Sequence, residues 1–459
     1  MLTYWSRTDS LLKAAIGSVF HLVRGAIATL IERFRGDAAI FALASVGFLI
    51  TLAYGAYLAP DWDPVRDDQQ EYLALARGIA ATGEYTRATG AEAFVPEPLR
   101  LPGYPLFIAP LCARGCSMWG ITFVQAILVA VLIVVVAKYA GSMIGRRGGL
   151  IAGGLVALNP SFAFFGAHAL SDVLGTLMMV GSVAAAALLI PSRRSGGLFA
   201  GLLFAASVLT RPLFVVALPV TMLAVALRHG FRRSAAPLAL LMIVFALAVA
   251  PYISYTESNF GRPVVGSSGT QLWMAYFEVR GPLDPMELEQ EASGRAALAR
   301  FTAISDRAEQ SRGWIALDDE LRARALTLIA HDPWGFAARG VLRSAILWTG
   351  DVPLRAEHIT STVAALWRIG GLSWFLIGFL GAVFMIRRGD PLTALPLLVI
   401  LATWAVSYPL WAEGRYSLPA QPFVAIGLAA MLARLRKPTG AASLADIRRT
   451  NRPEVIREG

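Results

Sequence analysis

Residues 118–138 read MWGITFVQAILVAVLIVVVAK, twenty-one positions with a single charge at the last. About 20 apolar residues carry a helix across the hydrocarbon core of a bilayer, so this stretch is expected to span one. Working outward, similar runs lie near 38–59, 148–166, 168–190, 196–210, 212–227, 235–256, 363–386, 390–410 and 415–434. The composition agrees: 56% of the 459 residues are hydrophobic and 16% charged, with a mean hydropathy of +0.58. A soluble chain of this length would need more charge to cover its surface. The expected fold is therefore all-α and polytopic, with about ten transmembrane helices.

The net charge of +10 invites a nucleic-acid reading, but its distribution excludes one. The basic residues gather between apolar runs, at Arg33/Arg35, Arg146/Arg147, Arg193/Arg194, Arg228/Arg232/Arg233, Arg387/Arg388 and Arg434/Arg436/Lys437. That is the pattern of cytoplasmic loops. Counted from a cytoplasmic N-terminus, every cluster falls inside and the carboxylate-rich connections fall outside, Asp390 excepted. The expected organisation is an interfacial amphipathic segment at 1–37 and a membrane module at 38–256. An external helical loop at 257–362, terminal spans at 363–436 and a basic cytoplasmic tail at 437–459 complete it. The module contains a first external loop at 60–117.

That first loop concentrates candidate chemistry. Asp67-Asp68-Gln-Gln-Glu71-Tyr72 opens an amphipathic helix that Gly83 should end. Arg100-Leu-Pro-Gly-Tyr104-Pro reads as a rigid turn directing Arg100. Asp68, Asp67 and Glu71 are the candidate catalytic groups. Crowded carboxylates near low dielectric are expected to raise one another's pKa, as a general base or cation site requires. Asp67 is equally a helix cap. Phe107 to Leu111 is too short to cross.

Other candidates sit at the outer ends of later spans. His168 and Asp172, one helical turn apart, are expected to hydrogen-bond; two such ligands are too few for a metal. Arg211 precedes Pro212, and Arg415 stands in Glu413-Gly-Arg-Tyr416. Arginines there suit a phosphate through their planar fork. The bland alternative, snorkelling to headgroups, is less expected outside, where positive charge is sparse. Cys112 and Cys116 have an i,i+4 spacing that suits a disulfide poorly on a helix, so free thiols are expected. The Gly266-Ser-Ser-Gly269 stretch reads as a loop, while Leu317, Leu321, Ala325, Leu328 and Ile329 share one helical face.

At these residues the sequence resembles a family. Asp68-x-x-x-Tyr72-x-x-x-Ala76, Gly83-x-Tyr85 and Arg100-x-Pro-Gly-Tyr-Pro-Leu-Phe107 look like the first external loop of the GT-C membrane glycosyltransferases. The family 39-like branch is the most similar, with protein O-mannosyltransferases and aminoarabinose transferases. Asn159-Pro-Ser161, Leu170-Ser-Asp172, Leu209-Thr-Arg-Pro212 and Arg415-Tyr-Ser-Leu-Pro-Ala-Gln-Pro422 extend the likeness along most of the chain.

The resemblance implies inverting transfer of a sugar from a polyprenyl-phosphate donor to a lipid, glycan or protein acceptor. It places the reaction at the outer face of a bacterial inner membrane, among membrane lipids. By position Asp68 would be the base or orienting acid. Arg211 or Arg415 would hold the departing phosphate, and Arg100, Tyr104, His168, Asp172, Glu413 and Tyr416 would line the substrate site. A divalent metal ion is optional in that superfamily, with Asp68, His168 and Asp172 as candidate ligands. Protein O-mannosyltransferases pair Asp with Glu and carry a large folded external domain. Here two aspartates adjoin and the loop is small, which weakens a protein acceptor. The alternative is a transporter or flippase for a polyprenyl-linked or anionic solute, which would need ionisable groups near the midplane.

Overall fold

The computed structural model describes residues 38–61, 67–88, 94–190 and 195–435. The segments expected at 1–37 and 437–459 lie outside these, as do Asp63 and the side chain of Asp67.

Among the described residues the regular structure is all helical. In chain order the helices before residue 268 are α1 (Ala38–Leu58), α2 (Asp67–Thr82), α3 (Gly103–Cys112), α4 (Met118–Ala157), α5 (Pro160–Gly166), α6 (Asp172–Leu189), α7 (Ser195–Thr210), α8 (Ala217–His229) and α9 (Phe231–Phe260). Then follow α10 (Ser268–Phe277), α11 (Pro285–Thr302), α12 (Arg307–His331), α13 (Pro333–Thr349), α14 (Ser361–Ile386), α15 (Leu395–Ser407) and α16 (Gln421–Leu435). Six helical stretches are long and apolar enough to cross a membrane, and shorter apolar helices include Ser195–Thr210, Pro391–Ser407 and Gln421–Arg434.

The spans follow the expected order, with differences of known cause. The second and third merge into α4, which turns at Gly145, where φ is +82°. The third stops at Ala157 because Pro160 cannot continue a helix; Asn159 caps the new one, accepting from the Ser161 amide at 3.0 Å. The fourth starts at Asp172, four residues later than expected, because residues 167–171 form a turn.

The helices pack as neighbours in pairs: α1 on α4, α6 on α7, α7 on α9 and α14 on α16. In the last pair Gly378 faces Gly427 so closely that a Cβ on Gly427 would stand 2.0 Å from the Gly378 carbonyl oxygen. Lipid offers no hydrophobic drive between helices, so such small-residue contact supplies the packing.

The helices after α9 carry their own small core of Trp273, Tyr276, Leu317, Leu321, Leu328 and Phe336. The helical face read from Leu317 to Leu328 is buried in it. Asp284 and Glu287 form a capping box at the start of α11. The Gly/Ser stretch stays a loop only through Ser267. Its Gly269 and Thr270 amides donate to the Asp318 carboxylate at 3.0 and 2.8 Å, and α10 begins there. Arg343 ties this unit to the bundle. It is 1% exposed, donates to the carbonyls of Ala275, Phe336 and Tyr408 at 2.9, 3.4 and 3.4 Å, and lies over the Phe336 ring.

Cys112 and Cys116 are joined in a disulfide, against the expectation of free thiols. The helical spacing does not apply, because α3 ends at Cys112. Gly115 and Cys116 take positive φ and fold the chain back until the two Cα atoms are 3.8 Å apart.

A valine at Gly427 would force α14 and α16 apart. Overpacking of this kind costs about 1–3 kcal/mol. Gly427→Val should therefore lower the thermal midpoint of the detergent-solubilised protein in a dye-based melt. An unchanged midpoint would show that this contact carries no packing energy.

Candidate functional site

The site forms where α2, the 94–102 strip and the 411–417 strip meet the ends of α6 and α7. Asp68, on the first turn of α2, accepts from Arg100 on one oxygen and from Arg415 Nη1 at 2.5 Å on the other. Glu71, one turn on, accepts from Arg100 Nε at 2.5 Å and from Arg87 at 3.3 Å. The helical neighbourhood of Asp68 and Glu71 is as expected from the sequence. The guanidiniums between them are not.

Arg100 is held from several sides. The buried Glu97 carboxylate accepts from the Arg100 amide at 2.7 Å, and the Tyr85 hydroxyl donates to the Arg100 carbonyl at 2.5 Å. Its charge lies over the Tyr72 ring, 5.4 Å from the centroid. The residues after it make no free turn: Pro102 caps α3, and Tyr104 is fully buried edge-on beneath Tyr72. Tyr104 is thus packed beneath Tyr72 and does not line the cavity beside the site.

From Tyr72 the contacts continue in a ring. Its hydroxyl meets Ser171 Oγ at 3.0 Å, Arg211 Nε donates to the same oxygen at 3.1 Å, and Arg211 and Arg415 both lie against Tyr416. Arg211 also stands 2.8 Å from Asp172 Oδ1 as an ion pair, although the angle is not that of a hydrogen bond and neither Asp172 oxygen accepts one. Arg415 closes the ring onto Asp68 and also pairs with Glu413. The 3₁₀ turn that aims it, Gly414–Ser417, is pressed on Gly350: a Cβ at Gly414 would meet the Gly350 Cα at 2.1 Å.

Burial works to raise the Asp68 pKa, but the Arg100 and Arg415 charges outweigh it and hold the carboxyl below its ordinary value. The expected mutual raising of crowded carboxylates does not occur at Asp68, because cations stand between it and its neighbours. Burial also disfavours the Arg415 charge, yet Asp172, Glu413 and Asp68 together push its pKa up. Glu413 and Asp351 are pushed up by burial, with Arg415 opposing.

A cavity of ≈ 420 Å³ opens beside this ring. Its ionisable lining is three arginines, Arg100, Arg211 and Arg415, and one aspartate, Asp68; Tyr72 and Tyr416 complete the polar end. Leu213, Val215, Val216, Val406 and Leu410 make an apolar wall. Behind the 411–417 strip lies a second cavity of ≈ 270 Å³, lined by Trp348, Trp367, Trp374 and Asp351. Glu71 faces neither; with Arg87 it lines a separate cleft against Trp314.

His168 does not join Asp172. Its Nδ1 pairs with the Phe164 carbonyl at 2.8 Å, since the turn at 167–171 breaks the helical spacing. Asp68, His168 and Asp172 therefore do not converge. Among the described residues no three His, Cys, Asp or Glu side chains do. Both carboxylates of the candidate set face guanidiniums instead, a donor set that does not fit a divalent cation.

Four participants escaped sequence reading: Arg87, Glu97, Ser171 and Asp351. Ser171 adjoins Asp172, and Asp351 follows Gly350 at the end of α13; neither carries a local signal of its partners. Glu97 offered one hint, a carboxylate between two prolines just before Arg100.

Comparison with known proteins bears on the fold. Residues 102–255, about a third of the chain, match the profile of the dolichyl-phosphate-mannose-protein mannosyltransferase family. The oligosaccharyltransferase of Archaeoglobus fulgidus in its apo form superimposes with a TM-score of 0.54 at 14% identity, over 88% of this chain and 51% of that one. The Archaeoglobus AglB complex with an inhibitory peptide and a dolichol-phosphate gives 0.52 at 13%, over 92% and 52%. Undecaprenyl-phosphate-bound ArnT from Cupriavidus metallidurans aligns at 15% identity and a TM-score of 0.37, over 85% and 77%. No curated protein sequence matches significantly. The chain spans about half the length of the archaeal oligosaccharyltransferases. Its fold is GT-C, as the resemblance implied.

The arginine grip on Asp68 predicts a pH-dependent stability. A carboxylate with a depressed folded-state pKa stabilises above its unfolded value, about 4, and loses that contribution as pH falls through the folded value. Asp68→Asn should melt lower than wild type at pH 7, by about 1–3 kcal/mol of lost charged hydrogen bonding. The gap should narrow on acidification below about pH 4. Equal melting at pH 7 would contradict the grip.

Proposed function

We propose, with the GT-C fold as premise, that this chain is an inverting glycosyltransferase using a polyprenyl-phosphate sugar. The reaction would take place at the outer face of a bacterial inner membrane. One observation carries the reading: the cavity where three arginines and one aspartate meet an apolar wall. A surplus of fixed guanidinium charge suits a lipid phosphate, and the apolar wall suits the first isoprene units of its tail. The basic clusters at the opposite span ends support the outward placement.

In this reading the donor phosphate enters among Arg211, Arg415 and Arg100. Charge grows on it as the anomeric C–O bond breaks, and the preorganised arginines stabilise that growth. The acceptor hydroxyl attacks the opposite face of the anomeric carbon, inverting it, and gives its proton to Asp68. Free of donor, Asp68 is a weak base because two arginines hold it. An incoming phosphate competes for the same guanidiniums and releases the carboxylate, so basicity rises when substrate is bound. Glu71 and Glu97 position Arg100, and Ser171 and Asp172 position Arg211.

The second external segment, with its small helical core, favours a lipid or glycan acceptor over a folded protein. Transport is the weaker reading, because the ionisable groups of this site lie at span ends rather than at the midplane.

The test is transfer of radiolabelled sugar from a polyprenyl-phosphate donor by the purified protein. Asp68→Asn should fold and lose transfer, by about 100-fold or more for a general base. Arg211→Ala and Arg415→Ala should each weaken donor binding by about tenfold, some 1.4 kcal/mol. Full turnover in Asp68→Asn, or unchanged donor affinity in both arginine variants, would overturn the assignment.

A further inference from the structure

At the opposite end of the bundle a cavity of ≈ 310 Å³ lies between α4, α6 and α7. That is within the size of small-molecule sites, roughly 300–1,000 Å³. Most of its lining is apolar, and Gly181 and Ala185 leave room for a narrow trough. Its polar end is Lys138, Tyr139 and Ser142.

Lys138 is the single Asp, Glu, Lys or Arg between Met118 and Ile144. It stands twenty residues past Met118, about 30 Å along a helix, and so reaches the membrane boundary remote from Asp68. It is half-buried and has no hydrogen-bond or ion-pair partner among the described residues. Snorkelling alone would account for a lysine at this depth. It does not account for Tyr139, which is 1% exposed, opens on the same cavity and has an unpartnered hydroxyl. Leaving such a hydroxyl unpaired costs about 1–3 kcal/mol. A cation and an unpaired donor at the mouth of an apolar trough are complementary to a phosphate carrying a hydrocarbon chain.

We infer that this cavity binds an anionic phospholipid of the leaflet on the Arg146/Arg147 side. One acyl chain lies in the trough, and the phosphate sits on the Lys138 ammonium, with the Tyr139 hydroxyl donating to it. The remoteness of the cavity from the Asp68 ring argues for a bilayer phospholipid rather than a spent carrier lipid. The inference is independent of the glycosyl-transfer reading.

Full-length protein equilibrated with vesicles of equal parts phosphatidylglycerol and phosphatidylcholine, then examined by native mass spectrometry, tests this directly. Wild type should retain phosphatidylglycerol over phosphatidylcholine by about tenfold, or 1.4 kcal/mol. Lys138→Gln should abolish the preference, Lys138→Arg should keep it and Tyr139→Phe should reduce it. No preference in wild type, or equal retention by Lys138→Gln, would overturn the proposal. So would Lys138-dependent capture of added polyprenyl phosphate in place of phosphatidylglycerol. Should Lys138→Gln not fold, the contrast between Lys138→Arg and Tyr139→Phe decides the question, and identical retention by those two counts against it.

Discussion

The Asp68 carboxylate, gripped at once by Arg100 and Arg415, is the interaction on which the rest of the site depends. One partner lies 32 residues away and the other 347. Through this group α2, the 94–102 strip, the ends of α6 and α7 and the 411–417 strip become one assembly. Each guanidinium is in turn fixed by a second carboxylate, Glu71 for Arg100 and Glu413 for Arg415. Half-buried charges are costly to desolvate, and alternating their signs around a ring lets each offset its neighbours.

This arrangement changes the meaning of the acidic cluster. Asp67, Asp68 and Glu71 read, in sequence, as mutual repulsion and a raised pKa. In three dimensions arginines from distant segments reverse the sign for Asp68, and the elevated groups are Glu413 and Asp351 instead.

The membrane architecture was legible because length and hydropathy are local properties. The order of spans, the helix ended by Gly83, and the buried face of Leu317, Leu321 and Leu328 all follow from patterns within twenty residues. What failed depended on the path of the backbone between patterned elements. His168 and Asp172 have helical spacing but no helix between them. Cys112 and Cys116 have it too, and a tight turn joins them instead. The Gly/Ser stretch at 266–269 turns helical at Ser268, where Asp318, 49 residues on, accepts the Gly269 amide. Long-range partners such as Asp351 and Ser171 leave no periodic trace, so no single-chain pattern could have selected them.

Arg343 has a consequence for protein engineering. Its guanidinium donates to backbone carbonyls of both the α10–α13 helical unit and Tyr408, just past α15 and far along the chain. Backbone carbonyls are present whatever the side chain, so the joint recognises shape rather than residue identity. A chimera that transplants only residues 268–349 would still present an oxygen at position 408, but at whatever position the recipient's own strip takes. The natural unit of exchange is therefore discontinuous: helices α10–α13 together with the strip after α15. Grafts cut at the obvious sequence boundaries would sever it.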